Sequence, residues 1–157
     1  MKKLTTILAV SILAIVLITP VAMAADQQFD IPEYDLSSVE PDIQLLALTP
    51  QGLVPITADL IPKAQEYGYP VITAKVSAFD RNGDGNIDMQ YIEYIIPEMT
   101  GADDSGQPMV VPAHTMVQLM IDDDFDSMPD RILVDTVNAA GERGADGIFD
   151  VQQVMPQ

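Results

Sequence analysis

The chain has no cysteine, no tryptophan and a single histidine, His114. Without cysteine there is no disulfide scaffold, no lipidated cysteine, no thiolate metal site and no thiol nucleophile, and one histidine leaves no cluster for zinc. Bases are scarce as well: seven Lys and Arg stand against 24 Asp and Glu. So acidic a surface repels nucleic acid and anionic lipid, and neither is an expected partner. Nucleophile elbow, phosphate loop and dinucleotide fingerprint are all missing, and nothing singles out two acids as a glycosidase pair. The absence of tryptophan argues against a carbohydrate platform. His114, just before a predicted strand, reads as a packing or surface residue rather than a base. These absences point away from an enzyme. What the chain does have is 48 % apolar residues, too many for wholesale disorder, so a packed core must coexist with concentrated acidity. Its 157 residues leave room for one domain or two small ones.

The acidity begins late. Residues 1–24 hold no acid; Lys2 and Lys3 precede an apolar run over 4–18, Pro20 breaks it, and Ala22-Met23-Ala24 has the small-x-small form a signal peptidase accepts. Residues 1–24 are therefore expected to be a cleaved signal peptide, which puts the rest outside the cytoplasm: secreted, extracellular or at the cell surface, with the periplasm also open. Removing it leaves five bases against 24 acids and no expected membrane contact. An uncleaved anchor is the alternative, since residues 4–25 are about long enough to cross a bilayer.

Residues 25–41 (ADQQFDIPEYDLSSVEP) are polar, acidic and proline-punctuated, with neither a helical nor a strand period, and are expected to form an extended arm available for contacts. A β domain is expected over 42–157. Residues 43–48 and 52–56 read as two strands around a Thr49-Pro50-Gln51-Gly52 turn, and 59–67 as a short helix. Over 72–78 apolar Ile72, Ala74, Val76 and Ala78 alternate with polar residues, the period of a half-buried strand; 89–96 (MQYIEYII) is aromatic and β-branched. Residues 115–121 and 132–137 repeat this arrangement, and 151–154 is a last strand. At an offset of 42 residues Pro70 falls on Pro112, Thr73 on Thr115, Asp80 on Asp122, Asp88 on Asp130 and Glu93 on Asp135. The two units, 70–96 and 112–137, read as an internal duplication of strand, acidic loop, strand. The expected fold is mainly β, an antiparallel β-sandwich of about seven or eight strands with acidic hairpin loops.

The loops carry the chemistry. Asp80-Arg81-Asn82-Gly83-Asp84-Gly85-Asn86-Ile87-Asp88 puts side-chain oxygens at positions 1, 3, 5 and 9 and glycine at position 6. Calcium is a hard cation that takes six to eight oxygens, and a tightly curled loop turns alternate side chains inward while the carbonyl of position 7 adds a ligand. The expected ligands are Asp80, Asn82, Asp84, the carbonyl of Asn86, and Asp88. In the second loop they are Asp122, Asp124, Asp126, the carbonyl of Met128, and Asp130. Ser127 replaces the glycine there, which implies a strained residue or a different curl. A third, poorer copy is read over 142–150, with Glu142, Asp146 and Asp150 as weaker ligands and Gly144 at position 3. Magnesium suits such loops poorly, because it demands a tight octahedron and holds its water.

DRNGDGNID resembles the calcium loop of the EF-hand superfamily, and DDDFDSMPD is similar to the version in thrombospondin calcium repeats. The resemblance covers the loops alone, about 27 residues. It departs at position 12, where EF-hands place a bidentate Glu and this chain has Tyr91 and Leu133; both units carry an acid at position 14 instead, Glu93 and Asp135. That makes the loops look more like those joining two strands in FG-GAP repeats. An α+β alternative stays open, with Ile72, Val76 and Phe79 on an incoming EF-hand helix and Ile87, Tyr91, Tyr94 and Ile95 on an outgoing one. The expected function is a calcium-stabilised structural or interaction module whose partners are calcium ions and itself or another surface protein. A calcium sensor or buffer and a secreted hydrolase are the rivals.

Overall fold

The computed structural model describes residues 29–156, so the leader and the first residues of the arm lie outside the described residues. The described chain is mainly β and every strand pairing in it is antiparallel. Seven strands, β1 (Asp42–Thr49), β2 (Gly52–Ile56), β3 (Val71–Phe79), β4 (Met89–Ile96), β7 (His114–Ile121), β8 (Arg131–Asp135) and β9 (Val151–Val154), form one sheet in the order β2-β1-β3-β4-β7-β8-β9. Strands β5 (Met99–Ala102) and β6 (Pro108–Val111) form a separate two-stranded ribbon between β4 and β7. One short helix, α1 (Ile61–Glu66), follows a 3-10 turn at Ala58–Leu60 and links β2 to β3.

Alternation along the strands gives the sheet two apolar faces, the sandwich-like arrangement the patterning predicts. Ile72, Ala74 and Val76 of β3 join Ile92, Tyr94 and Ile96 of β4, Met120 of β7, and Ile132 and Val134 of β8 in one core cluster, to which Leu53 of β2 and Met99 of β5 add. Phe79, Met89, Leu119, Ile121 and Leu133 form the second, on the opposite face toward the loop end of the sheet. The arm covers that second cluster. Phe29, Ile31, Tyr34 and Val39 pack on it, and the Tyr34 ring lies 5.8 Å from Phe79 and 6.1 Å from Tyr91. The segment expected to be free for contacts is thus committed to the core from Phe29 onward. Its acidic residues hide an apolar set, Phe29, Ile31, Tyr34, that follows no single period because the backbone is neither helix nor strand here.

Helix–loop–helix geometry is not realised: both nine-residue acidic loops join antiparallel strands, β3 to β4 and β7 to β8. Alternating β-branched and aromatic residues outweigh the weaker helical spacing of Ile72, Val76 and Phe79. The β5–β6 ribbon was not legible in the sequence, because Gly101 and Pro108 interrupt any strand pattern. Asp103 makes its turn, with Oδ1 accepting the N–H groups of Ser105 and Gln107 at 2.9 Å each. Among the described residues no helix is long and apolar enough to cross a membrane.

Candidate metal centre

Strands β4 and β7 are neighbours, so the hairpin loops that enter β4 and leave β7 lie side by side at one end of the sheet. In loop 1 (80–88) the carboxylate of position 9 reaches back to the start: Asp88 Oδ2 accepts the N–H groups of Arg81 (2.7 Å) and Asn82 (3.2 Å). Position 1 serves the middle, with Asp80 Oδ1 accepting Gly83 N–H (2.7 Å) and Oδ2 accepting Gly85 N–H (2.8 Å). Positions 3 and 5 each cap the residue two further on, Asn82 Oδ1 accepting from Asp84 N (2.9 Å) and Asp84 Oδ1 from Asn86 N (2.7 Å). Short polar side chains at every second position thereby hold the backbone in a tight curl with their oxygens turned inward.

Loop 2 (122–130) repeats these six bonds. Asp130 Oδ2 accepts from Asp123 N (2.7 Å) and Asp124 N (3.2 Å); Asp122 Oδ1 accepts from Phe125 N (2.7 Å) and Oδ2 from Ser127 N (2.8 Å). Asp124 Oδ1 accepts from Asp126 N (3.2 Å), and Asp126 Oδ1 from Met128 N (2.8 Å). The question raised by Ser127 is answered: the curl is the same and the residue is strained. Positions 4 and 6 take positive φ in both loops, at Gly83 (78°) and Gly85 (90°) in the first and at Phe125 (63°) and Ser127 (73°) in the second.

Oxygens of Asp122, Asp124 and Asp130 lie within 4.8 Å of one another, a triad that could hold a metal ion. The donors available around it are hard oxygens, with no histidine or cysteine in either loop, which suits an oxygen-seeking cation. Partial desolvation within the loop, and then the charges of Asp126, Asp130 and Asp122, hold the Asp124 carboxyl above the ordinary aspartate range despite the N–H it accepts. In loop 1 the balance reverses. Asn82 at position 3 carries no charge, its Nδ2 donates to Asp84 Oδ2 (3.2 Å), and the N–H of Asn86 foremost holds Asp84 below the ordinary range. The expected carbonyl ligands, Asn86 and Met128, are placed at position 7 of the two curls by the capping bonds just described.

A third loop exists, but it does not start where the spacing puts it. Asp150 Oδ2 accepts the N–H groups of Thr136 (2.8 Å) and Val137 (3.1 Å), as position 9 does in loops 1 and 2. Asp135 Oδ1 accepts Asp146 N–H (3.2 Å) and Oδ2 accepts Gly147 N–H (2.8 Å), and Asp146 Oδ1 accepts Ile148 N–H (3.0 Å). Position 1 is therefore Asp135, positions 5, 6 and 9 are Asp146, Gly147 (φ 93°) and Asp150, and position 3 is Val137. Residues 138–145 stand where the other loops have one residue. They fold as their own small turn on Asn138, whose Oδ1 accepts from Ala140 N (2.9 Å) and Glu142 N (3.0 Å) and whose Nδ2 donates to Glu142 Oε2 (3.2 Å).

Glu142 is thus corrected from a ligand position to a residue of the inserted turn. A fixed nine-residue spacing forced it into position 1, whereas the acid that ends β8 holds that place. The signal was present in two parts: Asp146-Gly147-x-x-Asp150 repeats Asp84-Gly85-x-x-Asp88, and Asp135 follows an apolar strand as Asp80 and Asp122 do. Asp135 is 1 % exposed, and burial foremost raises its pKa against the two N–H bonds it accepts. Its equivalent at position 14 of the first unit, Glu93, is engaged differently, in a half-buried ion pair with Lys75 at 3.4 Å.

Exposure separates the loops further. Asp122 is buried at 4 % and Asp80 is exposed. The cause lies in the sheet: β1 pairs with β3 only as far as Asp42↔Val76, leaving the end of β3 with β4 alone as a neighbour, whereas β7 has β4 on one side and β8 on the other. Loop 2 is also tied to the rest of the fold through Arg131, which forms a two-pronged pair with Asp123 (Nε to Oδ2 2.5 Å, Nη2 to Oδ1 2.9 Å) and donates to the Asp30 carbonyl of the arm (2.8 Å). Comparison of this chain with protein-family models, with curated proteins and with solved structures finds no match.

Proposed function

We propose that this chain is an exported calcium-binding structural or interaction module, in which calcium bound by the hairpin loops stabilises the fold or its assembly, and that it is not an enzyme. One observation carries the reading: the same curl, with the same inward carboxylates, is built in loops 1 and 2 and again, around an insertion, in loop 3. A solvated acidic turn needs no such repetition. Calcium is the favoured ion because the donors are all oxygens, the loop supplies them from five positions without octahedral regularity, and water completes the shell. Loop 3, with Val137 at position 3, has one side-chain ligand fewer and binds more weakly. Two carboxylates line a cleft on the arm side of the sheet, but both are engaged, Glu93 with Lys75 and Asp135 with two backbone N–H groups, which argues against a hydrolytic pair. With the arm committed to the core, contacts with another copy or another surface protein fall to the sheet edges β2 and β9.

Calorimetry of the protein with its leader removed tests the reading. At millimolar calcium and a dissociation constant of about 0.1 mM, each filled loop adds about 1.4 kcal/mol, so loops 1 and 2 together should raise the melting temperature by about 10 °C over protein in chelator. Equal melting temperatures in the two conditions would remove the reading.

A further inference from the structure

We propose that loops 1 and 2 bind calcium as a coupled pair, and that Arg81 is the positioning residue that couples them; the inference rests on the calcium reading above. The sheet brings the two loops into contact at the residues that matter for binding. Pairing of β4 with β7 runs through Met89↔Ile121 and continues one step into the loops, where Asp122 N–H donates to the Asp88 carbonyl at 2.8 Å. Position 9 of loop 1 and position 1 of loop 2 are therefore joined peptide to peptide, and both side chains are buried, at 3 % and 4 % exposure.

Arg81 adds a second link. Its backbone N–H belongs to loop 1, donated to Asp88 Oδ2. Its guanidinium belongs to loop 2: Nη1 lies 3.4 Å from the Asp122 carbonyl oxygen, and Cζ stands 5.5 Å from the centre of the Phe125 ring. Phe125 is position 4 of loop 2 and takes a φ of 63° that disfavours any residue but glycine. An aromatic side chain at that position contributes a face for Arg81 that the glycine of loop 1 cannot supply. Arg81 is also the one basic residue within the two loops, among three acids of loop 1 and five of loop 2.

Filling loop 1 clamps position 9 against position 1 and so fixes the Arg81 backbone. The guanidinium is then held on Asp122 and Phe125, and the first turn of loop 2 is ordered before its own ion arrives. The second ion meets a loop whose ordering cost has already been met, which is positive cooperativity. Mutual repulsion of the ions opposes this, but the outer positions of both loops are exposed and solvent and salt screen them.

The test uses the protein with its leader removed, titrated with calcium, and follows the amide signals of Gly85 for loop 1 and Ser127 for loop 2. Asp84→Ala and Asp126→Ala each empty one loop at an exposed position outside the inter-loop contacts. Each is expected to lower the affinity of the other, intact loop about five-fold, and by the same factor in both directions, as linkage requires. Arg81→Ala should weaken that effect, leaving what the backbone bond alone transmits, with both loops still filling, and Arg81→Lys, which keeps the charge, should restore part of the loss. Affinities indifferent to the state of the neighbouring loop, or lowered by its filling, would overturn the coupling while leaving the calcium reading intact. Full coupling in Arg81→Ala would overturn the role given to Arg81. No response of either amide to millimolar calcium would remove the calcium reading and this inference with it.

Discussion

Loops 1 and 2 share a backbone and a hydrogen-bond network, yet they reach it by different means. Loop 1 places glycine at both positive-φ positions, has an uncharged asparagine at position 3, and holds its acids in the open apart from Asp88. Loop 2 forces Phe125 and Ser127 into the left-handed region, packs carboxylates at positions 1, 3, 5 and 9, and buries the first of them. A local conformation is therefore not set by glycine alone. Convergent N–H bonds to two aspartates, with a sheet that anchors both loop ends, hold two residues where each carries a cost of about 1–2 kcal/mol. What loop 2 gains is a denser acidic triad and, in Phe125, a contact with its neighbour.

The comparison can be broken most sharply at position 1. Asp122→Ala removes a buried carboxylate that accepts two N–H groups and should destabilise the protein by about 2–4 kcal/mol, whereas Asp80→Ala, which removes the same bonds where water can replace them, should cost about 1 kcal/mol. Chemical denaturation in chelator separates the two, and equal losses would show that burial does not distinguish the loops. Exchanging position 6 comes next. Ser127→Gly should stabilise the calcium-free protein by about 1 kcal/mol by relieving the positive φ, and Gly85→Ser should destabilise it by about as much, both read from the denaturation midpoint.

Arg131 anchors loop 2 alone, so Arg131→Ala should cost about 1 kcal/mol and raise hydrogen exchange across the arm segment around Asp30 without altering loop 1. Unchanged exchange in the arm would show that its seat depends only on Phe29, Ile31 and Tyr34. The smallest expected effect is at Glu142. Glu142→Gln should leave any calcium bound by loop 3 in place, while Asp135→Asn should lose it, as followed by the Gly147 amide. Loss in Glu142→Gln would restore the ligand position that the fixed spacing gives it.

The regular strands were legible because their signal is local. Ile72, Ala74 and Val76 alternate with polar residues, and that alternation survives in the structure as one buried and one less buried face. The curls of loops 1 and 2 were legible for a similar reason: aspartate and asparagine at alternate positions capture N–H groups two to seven residues away, whatever the rest of the chain does. The third loop was misread at its start because an eight-residue turn on Asn138 sits inside it, and only the end of β8 shows that Asp135 opens the curl. The ribbon of β5 and β6 escaped because a two-stranded hairpin on an Asp103 turn needs little apolar pattern to form.

By itself, then, the sequence determined an antiparallel β chain with two acidic hairpin loops of one design, since strand alternation and aspartate capping act over a few residues. Tertiary structure decided which acids are buried, that Asp135 rather than Glu142 completes a third curl, that the arm covers a face of the sheet, and that loops 1 and 2 touch. Each of those depends on which strands lie side by side and how far their pairing runs. That is settled by the packing of residues distant in the chain, and no short window of sequence contains it.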